Sequence, residues 1–275
     1  GYVSVKSYLS SEKKALTPVM ETKHSMAKQL PEAFKQKIVT ASPSATYRVP
    51  ILLYHYVENV KNKKDRLRVE LNITPFVFEE QVKTLLNAGY TFMTAKELGD
   101  VLDGKMALPP KPILLTFDDG HWDFATDVLP ILKKYNVKAT AYIIPGFTGG
   151  SDFMSQEQVM EASESGLVDI GAHTVHHISL KAKPYEIVKS EIDDSKTMLE
   201  NTYHIQVVSF AYPNGFFDEQ AVQLTKEDGF TTAVSTVPGI EQNQTNRFFL
   251  YRLRAGARTG QTLLDWLQQD TFKAY

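Results

Sequence analysis

The sequence predicts an α/β fold, a distorted or incomplete (β/α) barrel of about seven parallel strands that follows an N-terminal appendage. From residue 50 onward, short apolar runs alternate with longer segments of helical period, which is typical of repeated βα units. Several of these runs are nearly continuous, as expected for parallel strands buried on both faces. We expect an appendage or spacer over residues 1–47, with an amphipathic segment at Val19–Val39, and one domain over residues 48–275.

The apolar runs give seven predicted strands: Ile51–Tyr54, Ile113–Phe117, Ala139–Ile144, Val168–Ala172, Val207–Ala211, Thr231–Ser235 and Phe248–Arg252. The helical segments between them are Pro75–Asn87, Ala95–Leu102, Asp123–Tyr135, Gln156–Ser165, Tyr185–Asn201, Glu219–Glu227 and Gln261–Gln269. Glycines follow several of these segments, where glycine commonly ends a helix: Gly89, Gly104, Gly166 and Gly229. Barrels of this type place their chemistry at the carboxyl ends of strands, so polar residues there are candidates for a site.

The composition excludes several classes of function. The 30 basic and 32 acidic side chains are mixed along the 275 residues, so no basic face for nucleic acid is indicated. No run of about 18 apolar residues occurs, so no bilayer-spanning segment is predicted. Cysteine is absent, and a transition metal would therefore have to be bound by His, Asp or Glu.

Two adjacent carboxylates, Asp118 and Asp119, follow the predicted strand Ile113–Phe117 and precede Gly120. Adjacent side chains on an extended backbone point in different directions, so one carboxylate could bind a metal while the other faces an activated water. The alternative is that Asp-Asp-Gly only forms a turn and caps the next helix.

Two histidines, His173 and His177, lie four residues apart where the chain leaves the strand Val168–Ala172. Together with Asp119 they form a His-His-Asp set with positions open for water and substrate, which is typical of catalytic zinc sites. His176 lies between them and is not assigned a role. The competing interpretation is a group of surface or hydrogen-bonded core histidines.

Two further strand ends carry candidate residues. His55 follows Ile51–Tyr54, and closure of a barrel would bring it to the rim that holds Asp118 and His173, although a core histidine is the alternative. The segment Tyr212-Pro-Asn214-Gly follows another strand, and a backbone N–H of this loop could face a developing oxyanion, although turn chemistry alone explains its composition.

The motifs Thr-Phe-Asp-Asp-Gly and His-Thr-x-x-His, in this order and about 50 residues apart, resemble those of the NodB-type polysaccharide deacetylases, carbohydrate esterase family 4. The resemblance covers about 200 residues from Ile51 onward. It implies that Asp118 is the general base and that Asp119, His173 and His177 bind one divalent metal, with zinc expected first and cobalt, nickel or iron as alternatives.

The segment Leu-Tyr-His55-Tyr-Val is similar to that of the subset acting on poly-N-acetylglucosamine, in which the catalytic acid comes from the start of the domain. The arginine that orients the base in this family is replaced by Ala211, and the usual aromatic by Asn214. Arg252 and Arg254 lie two residues apart on a predicted strand and could supply a substitute guanidinium.

The resemblance implies hydrolysis of N-acetyl groups on N-acetylglucosamine units of a polysaccharide, with His55 protonating the departing amine and the Asn214 N–H stabilising the oxyanion. A different acetylated glycan (peptidoglycan, chitin fragments or xylan) and a catalytically silent glycan-binding protein are the alternatives. We expect a monomer located outside the cell or attached to its surface. This location follows from the substrate, since no signal segment is visible at Gly1.

Overall fold

The computed structural model of this chain describes residues 45–274, so the prediction for Val19–Val39 lies outside the described residues. Over this range the strands are β1 Tyr47–Arg48, β2 Ile51–Tyr54, β3 Tyr56–Val57, β4 Asn72–Ile73, β5 Thr91–Met93, β6 Pro112–Phe117, β7 Ala139–Ile143, β8 Val168–Ala172, β9 Ser209–Ala211, β10 Thr232–Val234 and β11 Glu241–Gln242. The helices are α1 Arg66–Leu71, α2 Pro75–Asn87, α3 Ala95–Leu102, α4 Leu129–Tyr135, α5 Gln156–Glu164, α6 Tyr185–Tyr203, α7 Glu219–Glu227 and α8 Gly260–Leu267.

The main sheet is parallel and has the order β10-β9-β8-β7-β6-β2. β5 pairs with the first half of β6, on the edge opposite β2, and β7 pairs with its second half. The register sets Tyr54 beside Phe117, so the residues that follow them, His55 and Asp118, leave the sheet side by side. This arrangement confirms the predicted distorted (β/α) barrel.

Residues 250–253 span the gap between the two ends of this sheet. Leu250 bridges to Val234 of β10, and Leu253 bridges to Leu52 of β2. The predicted strand Phe248–Arg252 thus has a single bridge, at Leu250, rather than a continuous ladder, because three residues later, at Leu253, the chain already pairs with β2 instead of β10.

The side chains of the sheet alternate between two apolar clusters. The larger cluster lies between the sheet and the helices, whereas a smaller one takes alternate residues from six chain segments: Ile51, Leu114, Tyr142, Ala211, Val234 and Leu250. Helix α3 contributes its apolar face to the smaller cluster and closes it at the amino ends of the strands. The opposite end of this interior, where the strands finish, carries the polar residues.

Local sequence signals explain the helix boundaries. Thr94 with Glu97 and Ser155 with Gln158 form capping boxes at the starts of α3 and α5, and Thr74 caps α2 ahead of Pro75. The sequence prediction missed α1, which buries none of its residues and so lacks an apolar period, and β5, which is only three residues long. None of the described helices combines the length and apolarity that crossing a bilayer would require.

Candidate active site

The carboxyl ends of β2, β6 and β8, together with residues 250–254, surround one polar site. Side chains two or four residues apart on a strand point to the same side of the sheet. Asp118, His55 and Arg252 stand at these intervals from three residues of the smaller inner cluster, so all three side chains enter the barrel interior. Those cluster residues are Leu114, Ile51 and Leu250. Asp118 and Arg252 are buried, and His55 is partly exposed. These residues come from three distant parts of the sequence.

Asp119, His173 and His177 form a cluster that could bind a metal ion. Their candidate ligand atoms lie within 4.8 Å of one another, and Asp119 Oδ1 is 3.2 Å from Nε2 of each histidine. Ligands of tetrahedral zinc at their usual bond lengths are separated by roughly 3.3 Å, so the spacing fits such an ion. Asp119 Oδ1 is also buried without a hydrogen bond, as expected for an atom whose partner is a cation.

The backbone and the hydrogen bonds of the strand ends orient these three ligands. His173 Nδ1 donates to the carbonyl of Ala211 at 2.7 Å, which leaves the lone pair of Nε2 facing Asp119. Asp119 and His177 have positive φ values of 77° and 54°, which turn the chain sharply after each strand. Burial raises the pKa of the Asp119 carboxyl, but the surrounding imidazoles outweigh it and hold that pKa well below its usual range. Asp119 is therefore an anion, as metal binding requires.

Asp118 is paired with Arg252 inside the barrel. The guanidinium donates from Nη1 to Oδ1 and from Nη2 to Oδ2, both at 2.7 Å, and also bonds the Ser235 carbonyl and the Thr116 hydroxyl. Burial favours the neutral acid, but Arg252 outweighs it and lowers the pKa of Asp118. The guanidinium that the motif lacks at Ala211 thus reaches the carboxylate from another strand position.

His55 lies next to Asp118 across the β2/β6 register, and the Asp118 N–H donates to the carbonyl of Tyr54 at 3.0 Å. Burial lowers the pKa of His55 to about 4, and the nearby guanidinium of Arg254 acts in the same direction. The neighbouring carboxylates oppose this shift without cancelling it. His55 is therefore a neutral imidazole at pH 7.

His121 contacts the site although the sequence reasoning did not select it. Its Nε2 lies 3.2 Å from Asp119 Oδ2, and its ring is stacked between Tyr56 and Phe153, with centroid distances of 4.0 and 5.0 Å. It therefore holds the carboxylate oxygen that faces away from His173. Its position one residue after Asp-Asp-Gly was the available signal, but histidine is not distinctive there.

The loop after β9 brings Asn214, but not the side chain of Tyr212, to the rim. Asn214 is exposed and has a φ of 55°, a left-handed conformation that asparagine tolerates better than most residues. The Tyr212 side chain is fully buried on the outer face of the sheet, where its hydroxyl donates to the Phe248 carbonyl at 2.9 Å. Because strand residues alternate in direction, Tyr212 points away from the interior and does not contact the site, contrary to its predicted role.

Comparisons with known proteins identify the family of this chain. A family model described as polysaccharide deacetylase matches residues 105–233. YxkH of Bacillus subtilis, a proposed polysaccharide deacetylase, is 31% identical over 207 residues, which cover 75% of this chain and 71% of YxkH. The chain belongs to the polysaccharide deacetylase family. Polysaccharide deacetylases are amide hydrolases, so the chain belongs to that enzyme class.

Two other relatives extend the comparison. The poly-beta-1,6-N-acetyl-D-glucosamine N-deacetylase of Staphylococcus aureus is 26% identical over 190 residues, which cover 64% of this chain and 65% of that enzyme. The structure of the Streptococcus pyogenes deacetylase PplD in complex with acetate superposes with a TM-score of 0.75 at 26% identity, over 82% of this polysaccharide deacetylase and all of PplD. The similarity supports the barrel described above as the family fold.

Proposed function

We propose that this polysaccharide deacetylase hydrolyses N-acetyl groups on N-acetylglucosamine units of an extracellular polysaccharide and releases acetate. The observation that carries the proposal is the carboxylate of Asp118, held by Arg252 beside the cluster of Asp119, His173 and His177. Amide hydrolysis of this kind needs a base, an electrophile and an acid within one site. The strand ends supply residues for all three roles.

The proposed metal ligands are Asp119, His173 and His177, with zinc as the first candidate and cobalt, nickel or iron as alternatives. When bound, such a cation lowers the pKa of water and polarises the acetyl carbonyl. The three residues supply one anionic oxygen and two neutral nitrogens, a donor set that suits these metals. His121 restrains Asp119 from the opposite side, through Oδ2.

Asp118 is the proposed general base. Its depressed pKa keeps it ionised at neutral pH, and each carboxylate oxygen retains a lone pair beyond its bond to Arg252. It can therefore accept a proton from the attacking water. Arg252 prevents the carboxylate from rotating and stabilises its charge until that proton arrives.

His55 is the proposed acid for the departing amine. Because its pKa is about 4, it has to gain a proton during the reaction before it can donate one. Asp118, which gains a proton in the first step, is its neighbour across the β2/β6 register and is the proposed source. The backbone N–H of Asn214 remains the proposed donor to the oxyanion, and Arg254 contributes positive charge beside His55.

The substrate proposal rests on the relatives of this chain. The Staphylococcus aureus enzyme is named for poly-β-1,6-N-acetyl-D-glucosamine, and PplD binds acetate, which N-deacetylation would release. A polymer of this kind lies outside the cell, in a biofilm or the cell wall, so we also propose a secreted or surface-attached enzyme that acts as a monomer. In this proposal residues 1–47 are a spacer and residues 48–275 are the catalytic domain.

The test is acetate release by the zinc-loaded protein from four substrates: a β-1,6-linked N-acetylglucosamine oligomer, a chitooligomer, peptidoglycan and acetylxylan. We expect the first substrate to react fastest, and we expect a chelator to stop the reaction and added zinc to restore it. The matched control is D118N, which keeps the metal ligands and removes the base. Faster release from another substrate would reassign the glycan.

A catalytically silent glycan-binding protein remains the second candidate. It would bind the β-1,6-linked oligomer and release no acetate from any of the four substrates at saturating zinc. The intact pair of Asp118 and Arg252 argues against it, since a binding site has no need for a buried, oriented base.

A further inference from the structure

The turn that carries His173 and His177 requires a strained backbone. Thr174 and His177 have φ values of 61° and 54°, in the left-handed region that residues other than glycine rarely adopt. Such conformations cost about 1–3 kcal/mol each and persist only where the surroundings enforce them. Something outside the turn must therefore hold it.

Glu191, on helix α6, is the side chain that holds this turn. Its Oε2 accepts the backbone N–H groups of Val175 and His176 at 2.9 and 3.0 Å, and its Oε1 is 2.7 Å from Nδ1 of His176. The carboxylate is buried, with 8% of the residue exposed, and its bond to the Val175 N–H is buried as well, whereas the His176 ring is partly exposed. On the other side, the Gly146 N–H donates to the Val175 carbonyl at 3.2 Å.

We propose that Glu191 is a positioning residue for the metal centre. By fixing the backbone at Val175 and His176, it sets the distance between the two ligand histidines that flank them. His176, which the sequence left without a role, acts as the third donor to this carboxylate rather than as a ligand. The inference rests on the proposed metal site at Asp119, His173 and His177.

Glu200 offers a matched control on the same helix. Its Oε1 accepts the backbone N–H of Val207 at 3.0 Å, so it also joins α6 to the following segment, but it does not contact the metal-binding turn. In E191Q the shape is kept, but the negative charge is lost and an NH₂ group replaces one acceptor oxygen. That group faces either the two backbone N–H groups or His176 Nδ1, which can accept it only if the ring moves its proton to Nε2. E200Q makes the same chemical change away from the site.

The experiment measures the Kd for Zn²⁺ by competition with a chelating dye, and in parallel the urea unfolding of the metal-free proteins. We expect E191Q to weaken zinc binding about 10- to 100-fold, the usual effect of losing an outer support of a metal ligand. E200Q should leave the Kd within about threefold of wild type, even if both variants unfold at a lower urea concentration. If Glu191 contributed to stability alone, E191Q would unfold at a lower urea concentration but would bind Zn²⁺ with the wild-type Kd.

H176A is the second variant, for use if E191Q does not fold. It removes one of the three donors and should weaken zinc binding by a smaller factor than E191Q. Unchanged zinc affinity in every variant that folds would overturn the role of Glu191 and leave the deacetylase proposal intact. Wild-type protein that does not bind Zn²⁺ would instead overturn the metal site, and the role of Glu191 with it.

Discussion

Arg252 donates one hydrogen bond to each carboxylate oxygen of Asp118, although 134 positions separate the two residues in the chain. Neither residue has appreciable contact with solvent. Breaking a buried ion pair by removing one partner leaves a desolvated charge, which is far more costly than losing a pair at the surface. The pair therefore has a structural role in addition to the chemical role proposed for it.

The first prediction concerns R252M, which removes the guanidinium and keeps an apolar side chain. We expect the free energy of unfolding to fall by about 3–5 kcal/mol, because the Asp118 carboxylate loses its partner. The pKa of Asp118 should rise, since Arg252 is what lowers it, so the acid limb of the kcat/KM profile should move to higher pH. Urea unfolding and initial rates of acetate release measure the two effects.

The control for this prediction is R247M. Arg247 also pairs with an aspartate, Asp103, at 2.7 Å, but both side chains are partly exposed and distant from the site. We expect a loss of about 1 kcal/mol or less and an unchanged pH profile. An acid limb that stays in place in R252M would contradict the assigned role of Arg252.

The second prediction separates metal binding from proton transfer. Replacing Asp119, His173 or His177 with Ala should abolish both bound metal and activity, because each would supply one of the three proposed ligand atoms. D118N and H55Q should keep the metal and lose about 10²- to 10⁴-fold in kcat, the usual contribution of a general acid or base. Metal content after dialysis and acetate release are the measurements, and H204Q is the control at an exposed histidine. Normal turnover by D118N would exclude Asp118 as the base.

The third prediction concerns the ring of His121. H121F keeps an aromatic ring between Tyr56 and Phe153 but removes the nitrogen that contacts Asp119, so zinc affinity should fall by about 10- to 100-fold. H121Q retains a donor near that position and should recover part of the affinity. A zinc affinity of H121F equal to that of wild type, with a weaker affinity in H121Q, would mean that only the stacking matters. Dye competition for Zn²⁺ gives both values.

The fourth prediction is a pH dependence at Asp169, on β8 near the start of α3. Its carboxylate accepts the Lys96 N–H at 3.3 Å and faces Lys96, Glu97 and the Ser209 hydroxyl, and burial raises its pKa to about 7. Between the unfolded value of 3.8 and about 7, the folded state binds more protons than the unfolded state, so stability is lost as the pH rises.

D169N removes this penalty and keeps an oxygen that can accept the Lys96 N–H. We expect it to stabilise the metal-free protein by up to about 4 kcal/mol at pH 8 and by less than about 2 kcal/mol at pH 5. Urea unfolding at the two pH values measures the difference. D270N, at a side chain that is 92% exposed, should show the same small change at both. A gain that is larger at pH 5 would reverse the assigned sign.

Much of the barrel could be predicted from sequence because burial on both faces makes a parallel strand a continuous apolar run. β2 and β8 begin and end at the predicted residues, and so do helices α2, α3 and α7, where caps and glycines mark the ends. The predictions were less accurate where pairing depends on neighbours, as in residues 248–252. Leu250 bridges to β10 and Leu253, just beyond, bridges to β2, and a change of partner of this kind leaves no periodic pattern in the sequence.

The candidate site, like the fold, could be predicted from the sequence only in part. The motif residues Asp118, Asp119, His173 and His177 stand at strand ends, so the sequence indicates both their type and their place. Arg252 and Arg254 were equivalent in sequence, and only the fold shows that Arg252 contacts Asp118. Glu191 is one of several acidic residues on a solvated helix, and its contact with the metal-binding turn depends on how α6 packs.

Residues 250–253, which join β10 to β2, are synthesised after most of the candidate site. Asp118, Asp119, His173 and His177 all emerge from the ribosome before Arg252, so the proposed metal ligands and base are synthesised before the guanidinium that orients the base. Competence for hydrolysis would then be acquired late in translation, when residues 250–253 dock between β10 and β2. A polypeptide interrupted before that point would contain the proposed metal ligands but would lack both the guanidinium that lowers the pKa of Asp118 and the bridges between β10 and β2.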